Sequence, residues 1–349
     1  MSVSGWNVFN ENISNTCVLD AASDYFVGKP RHTKSAHAFA DSPLGLFFYF
    51  LRKVLWVKIA EETNRYRSQS LESLATQRQQ QQRLRQAKDP NVTVQSLQDI
   101  RDELAKWKPV QPHEILHFIA LLLARSMSPQ RIALARHWAL HEEGAVPRGT
   151  FGRFMTRKWF EDIVRFLHFN NNEDNRRRED RAWKVRPVLQ VVEKTFRRGF
   201  LLGKTISFDE GMVGSRHRMN PMRVYMKGKP TKWGTKFYMT CCAETAYCAH
   251  VEICCGADDS DNTVTRAVLR NVSKTLHGQP AGRLIVTDSY YSSVTLSQEL
   301  LKRNMYHVGT YRMNRLGWPK DFSYNFSTRP KKIPRGTYRI AVNKTIPEM

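Results

Sequence analysis

The chain of 349 residues carries 55 Lys and Arg against 32 Asp and Glu, a formal charge of +23, with a pI near 10.0. Such a field attracts polyanions and repels copies of itself, so nucleic acid is the leading partner and a small-molecule substrate is not expected. A hydrophobic content of 41% supports a substantial core, and the length points to two or three domains.

Residues 1 to 42 are polar, with scattered Gly, Pro and Ser and no sustained period, and read as a flexible N-terminal arm. The opening "MSVSGWNVFNENISNTC" has no basic stretch followed by an apolar one, so a secretory signal is not expected and the protein should stay inside the cell. The most apolar window, "PLGLFFYFLRKVLWVKIA" from Pro43 to Ala60, is interrupted by Arg52, Lys53 and Lys58. Its uncharged part falls short of the ~18 to 20 residues of a spanning helix, so one buried helix of a soluble protein is expected, begun by Ser42 and Pro43.

A Gln/Arg-rich stretch, "ATQRQQQQRLRQAKDP", lies within a spacer at about 68–98 and is either an exposed helix or a disordered insertion. "PHEILHFIALLLARSM" has Pro and Glu in its first turn and apolar residues on nearly every side, which predicts a helix inside an all-helical layer. Two more helices are expected in "GTFGRFMTRKWFEDIVRFLHFNNNEDN" and "RPVLQVVEKTFRRGFL". Residues 43–203 therefore read as a helical domain.

After Gly203 the period becomes strand-like. "KTISFDEGMV", "TKFYMTCCAE" and "YCAHVEICCG" are three strands, followed by a helix in "NTVTRAVLRNVSKTLHG" with Gly278 as its stop signal. "RLIVTDSYYSS" is a fourth strand, "SVTLSQELLKRN" a helix and "MYHVGTYR" a fifth strand. The order β-β-β-α-β-α-β is that of a ribonuclease H-like mixed sheet, so the fold class is α+β with a helical domain ahead of the sheet. Residues 204–311 would be the catalytic core and 312–349 the start of an insertion domain.

In that fold the first and fourth strands lie side by side, which would bring Asp209 and Asp288 together. Paired carboxylates repel unless a cation sits between them, and oxygen donors favour Mg²⁺ or Mn²⁺. Two such ions suit phosphodiester cleavage and strand transfer. The nearby bases Arg216, Arg218, Lys227, Lys229, Lys232 and Lys236 would neutralise the flanking phosphates. Glu210 should face away from Asp209 and serve a structural part. An Asp at a strand end is also a common turn former, and composition and spacing leave the choice open. The six cysteines lack CxxC spacing, and neighbours on a strand point apart, so they read as buried reduced thiols rather than metal ligands.

The segments "SPLGLFFYFLRKVLWVKIAEETNRY", "SFDEGMVGSRHR", "KGKPTKWGTKFYM" and "TDSYYSSVTLSQELLKRNMYHVGTYRMNR" together resemble the piggyBac family of transposases, over about Pro43 to Arg315. The resemblance implies cut-and-paste DNA transposition at TTAA target sites, on duplex transposon ends, in the nucleus, by a homodimer using two divalent metal ions. It makes Asp209 and Asp288 the first two catalytic and metal-binding aspartates, and Arg312 and Arg315 basic positions near target DNA. Lys229 and Lys232 fit DNA-backbone contacts. Tyr290 and Tyr291 are candidates to stack on bases or to pack in the core.

The family's third aspartate, on a helix beyond the inserted β-rich segment, has no counterpart before Met349, and the terminal cysteine-rich module is also missing. Asp321, Glu348 and Glu299 lack its context. The sequence thus reads as a transposase by ancestry, or alternatively as a catalytically inactive truncated or domesticated DNA-binding remnant. The basic run "RPKKIPR" is the better nuclear-import candidate, and "NRRREDRAWKVR" the weaker one.

Overall fold

A computed structural model describes residues 5–10, 24–142, 147–255, 263–319, 328, 330–346 and 349. Two compact units emerge, one of Met1–Leu46 with Val192–Met349 and one of Phe47–Val191. In chain order the first elements are β1 (Trp6–Asn10), β2 (Arg31–His32), α1 (Lys34–His37) and α2 (Pro43–Phe50). The long apolar window does not form one helix. The chain leaves helical geometry at Arg52 (φ −52°, ψ 147°) and restarts as α3 (Lys53–Gln69). The Trp56 indole N–H donates to the Leu51 carbonyl at 3.0 Å, occupying an acceptor that the break sets free.

The helical unit continues with α4 (Leu71–Gln86), α5 (Leu97–Ala105), α6 (Pro112–Met127) and α7 (Arg157–Phe166), and α8 (Arg186–Gly199) follows. Its core gathers Ile59, Ile115, Phe118, Phe160 and Ile163, all at most 3% exposed. Glu114 caps α6 by accepting from the Gln111 N–H at 2.8 Å, while Pro112 occupies the first turn where its missing N–H costs nothing. α6 is less enclosed than its composition predicts. Ile115, Phe118 and Leu121 form the buried stripe, whereas Leu123 and Met127 lie exposed.

The Gln-rich stretch is helical. Its Ala75 is fully buried, and Arg78–Glu103 (2.8 Å) and Arg101–Glu72 (2.6 Å) pair α4 with α5 across the surface. Few apolar anchors suffice because a small residue permits close helix approach and long polar side chains lie along it.

The second unit contains β3 (Phe200–Leu201), β4 (Thr205–Gly214), β5 (Arg223–Tyr225), β6 (Trp233–Cys242) and β7 (Cys248–Ile253). It goes on with α9 (Val264–Leu276), β8 (Arg283–Thr287), α10 (Val294–Leu301), β9 (Met305–Gly309) and β10 (Arg339–Asn343). A six-stranded mixed sheet runs β5-β6-β4-β8-β9, with β7 also paired to β6. β4 is antiparallel to β6 and parallel to β8, and β9 is parallel to β8. The short β5, three residues between turns, carries too little alternation to be read from sequence.

Ile206, Phe208 and Ile285 face α9 and α10 through Ala267, Val268, Val272, Leu296 and Leu300 in one apolar cluster. Gly278, with φ +78°, ends α9 in the left-handed conformation that glycine adopts without strain. Of the five described cysteines, all free, only Cys242 is fully buried and the other four are partly exposed. Cys17 lies outside the described residues.

The N-terminal segment departs from the flexible-arm reading wherever it is described. β2 pairs with β3 and β1 with β10, both antiparallel. The Phe26 N–H donates to Gly282 O at 2.7 Å, and Tyr306 donates its hydroxyl to the Asp24 carboxylate. Phe26 also stacks on the fully buried Arg283 guanidinium, 4.0 Å from ring centre to carbon. Arg283 reaches Leu202 O at 2.5 Å, the Gly203 carbonyl, and Pro280 O at 3.1 Å, so it ties together the chain entering β4 and β8. Burial pulls this guanidinium below its usual range.

Candidate active site

The register of β4 and β8 sets the geometry. Cα partners run from Thr205–Leu284 to Phe208–Thr287, and the next residues are Asp209 and Asp288. Parallel neighbours lie ~4.8 Å apart, so Asp209, inside β4 and still paired with Met239 of β6, comes beside Asp288, the first residue past the end of β8, and both are exposed. The alternation that buries Ile206 and Phe208 sends Asp209 to the opposite face.

Asp288 Oδ1 accepts from the Tyr290 and Tyr291 N–H groups at 3.0 and 3.3 Å, and Asp209 Oδ1 from the Glu210 N–H at 2.7 Å. The Asp209 carboxyl also meets the Glu210 side chain, so Glu210 stays close to Asp209 rather than facing away from it as expected. Partial burial within β4 pushes the Asp209 carboxyl up, and the Glu210 charge adds to this against the pull of the Glu210 N–H and Lys229. A site with this bias gains from a bound cation.

Glu210 is fixed from two sides. Tyr291 donates its hydroxyl to Glu210 Oε2 at 2.5 Å, and Lys229 Nζ lies 3.2 Å from Oε1. Burial works upward on this carboxyl, but the Tyr291 hydroxyl and Lys229 outweigh it and hold it low. Tyr291, 2% exposed, packs edge-on to Phe208 at 4.9 Å, while Tyr290 is exposed. Of the two tyrosines only Tyr290 presents a ring for stacking. The Tyr291–Glu210 link escaped the sequence reading because the pair lies 81 positions apart.

The predicted bases divide into two groups. Arg315 Nη2 donates to Tyr290 O at 2.6 Å and Arg312 Nη2 to Ser289 Oγ at 3.4 Å, so both lie against the loop that carries Asp288. Lys236 stands over Tyr238, Tyr290 and Tyr291 at 4.9, 5.7 and 5.9 Å from their ring centres. Lys229 is engaged by Glu210, in place of the open backbone contact foreseen for it. Arg216, Arg218, Lys227 and Lys232 are exposed between β4 and β6, and none forms an ion pair among the described residues.

The donor chemistry of Asp209 and Asp288, hard carboxylate oxygens, fits a divalent cation. Among the described residues no group of three or more His, Cys, Asp or Glu side chains is placed to hold a metal. Glu299 pairs with Lys302 and Arg303 at 2.8 Å each, which explains why it does not join the site. Asp321 and Glu348 lie outside the described residues. No helix among those described is long and apolar enough to cross a membrane.

Comparison with a solved cryo-EM structure, a piggyBac transposase synaptic complex with hairpin DNA, gives a TM-score of 0.67 at 20% identity. The match covers 87% of this chain and 57% of the other, so the two share an α+β fold with a mixed sheet over little more than half of that protein's length. A family model described as Transposase IS4 matches residues 42–347. With the family model spanning both units and both Asp209 and Asp288 inside it, the chain belongs to that transposase family.

Proposed function

We propose that this chain is a DNA transposase of the piggyBac type whose sheet is a ribonuclease H-like core, with Asp209 and Asp288 as its first two catalytic carboxylates. The observation that carries the proposal is that each directly follows the last paired residues of the parallel neighbours β4 and β8, Phe208 and Thr287. Asp209 and Asp288 would hold Mg²⁺ or Mn²⁺, which when bound supplies activation of the attacking oxygen and stabilisation of the leaving one.

The protein's own part is positioning. Tyr291 and Lys229 hold the Glu210 carboxylate in a fixed place beside Asp209. Arg315, by holding the Tyr290 carbonyl, steadies the loop bearing Asp288. Arg312, Lys236 and the exposed Arg216, Arg218 and Lys232 present cations to backbone phosphates, offsetting the repulsion between carboxylates and DNA. Duplex transposon ends, TTAA targets, action in the nucleus and a homodimer are part of this reading.

The test is cleavage of a duplex bearing a transposon end by the full chain with Mg²⁺ or Mn²⁺. Asp209→Asn and Asp288→Asn should each lower the rate by about three orders of magnitude while duplex binding stays intact. Duplex binding by the unaltered chain with no metal-dependent cleavage would sink the catalytic reading.

A further inference from the structure

A cleft of about 940 Å³ opens within the helical unit, and none of the proposed chemistry uses it. It is lined by Arg67, Lys106, Trp107, Lys158, Trp159 and Arg165, among others. Arg67 is 5% exposed and has no ion-pair partner among the described residues. Its Nη2 donates to Leu104 O at 3.0 Å, and its guanidinium lies 5.2 Å from the Trp107 ring centre and 5.0 Å from that of Phe166.

Those contacts explain why the side chain is ordered, but they use one of five donors. Its Nε is buried without a hydrogen-bond partner, and so is the Trp107 indole N–H. A buried donor left unpaired carries a desolvation penalty that a bound acceptor removes. Lys106, Lys158 and Arg165 are exposed at the same cleft, and none forms an ion pair among the described residues. Of the two acids in the lining, Glu103 is taken by Arg78 at 2.8 Å, which leaves Asp162 against four unpaired cations.

We propose that this cleft is a phosphate-binding site, with Arg67 as its anchoring cation and the Trp107 and Trp159 side chains as the flat wall beside it. A phosphate group supplies the several acceptor oxygens that unpaired guanidinium and ammonium donors require. The two indoles, 5.3 Å apart and tilted by 45°, add a surface suited to the ring of a nucleotide. The shared chemistry is a phosphate carried by a free nucleotide or by a nucleic-acid strand. The inference does not depend on Asp209 or Asp288.

Calorimetric titration of the full chain at constant ionic strength tests it, with inorganic phosphate, a deoxynucleoside monophosphate and a short single-stranded oligodeoxynucleotide as probes. Saturable binding is expected, weakened roughly ten- to hundredfold by Arg67→Met and unchanged by Arg85→Gln, an exposed control on α4. Should Arg67→Met melt early, the exposed pair Lys158→Gln with Arg165→Gln reads the same loss without touching the core. An oligonucleotide that competes with phosphate assigns the site to a strand, and nucleotide binding that an oligonucleotide does not displace assigns it to free nucleotides. Absence of saturable binding by all three probes, or equal affinity in the Arg67→Met and double variants, overturns the proposal. Because cleavage is not the readout, that failure leaves the Asp209–Asp288 site standing.

Discussion

At the scale of single residues, the end of β8 is held by side chains whose roles are set by space and by protons. A Cβ on Gly309 would stand 2.7 Å from the Thr287 carbonyl oxygen and would also collide with the Ser292 hydroxyl. Gly309→Ala must therefore part β9 from β8 next to Asp288, and we expect a loss of about 1–3 kcal/mol in denaturant unfolding, with weakened metal-dependent cleavage. His307 bonds Thr287 Oγ1 at 2.9 Å through Nε2, and Ser297 Oγ at 2.7 Å and the Tyr311 hydroxyl at 2.9 Å through Nδ1. Burial lowers its pKa from 6.5 to about 4.

Between those values the unfolded chain binds a proton that the folded chain refuses. The stability contributed by neutral His307 is thus complete above pH 6.5 and lost as pH falls towards 4. The loss amounts to up to about 3 kcal/mol. Unfolding midpoints measured between pH 7 and pH 4 should fall less steeply in His307→Gln, and an unchanged slope would remove His307 as the cause.

At the scale of elements, α9 is tied to β7 by charge as well as by apolar contact. Arg270 Nη2 lies 2.6 Å from Glu252 Oε1, and Lys274 Nζ lies 3.2 Å from Oε2. Burial would raise the Glu252 carboxyl, but Arg270 and Lys274 hold it low. In Arg270→Met a half-desolvated carboxylate keeps only Lys274, which should cost about 1–3 kcal/mol near neutral pH. The deficit shrinks when Glu252 is protonated, so thermal unfolding of the variant and parent should converge in acid. In the helical unit, Ile163 is fully buried on α7, and Ile163→Ala should lose about 2–5 kcal/mol in chemical unfolding.

For the molecule as a whole, the charge of +23 makes the predicted DNA affinity steep in salt. If six to ten phosphates are contacted, the association constant should drop by about 10³ to 10⁵ between 50 and 200 mM salt in a filter-binding titration. A flat response would remove the electrostatic part of the proposal. The exposed Arg216, Arg218 and Lys232 and the basic cleft of the helical unit are two separate sources of that slope. Triple neutralisation of the first should reduce it by about three times 0.9, since each phosphate contact contributes that much.

Much of this protein was legible without coordinates where the determining interactions are short-range. The two-residue alternation of "TISFDEG" reports burial of one face of β4, and Pro112 with Glu114 reports the start of α6, because caps and periods are properties of neighbouring residues. The order of strands and helices then sufficed to expect Asp209 beside Asp288. Tertiary structure alone decided what lies far apart in sequence: Lys229 turned onto Glu210, Tyr291 buried beneath it, and Arg283 clasped by Phe26. A polar side chain takes whichever partner the fold brings within about 3 Å, and that choice is made by packing over the whole chain, for which local pattern carries no record.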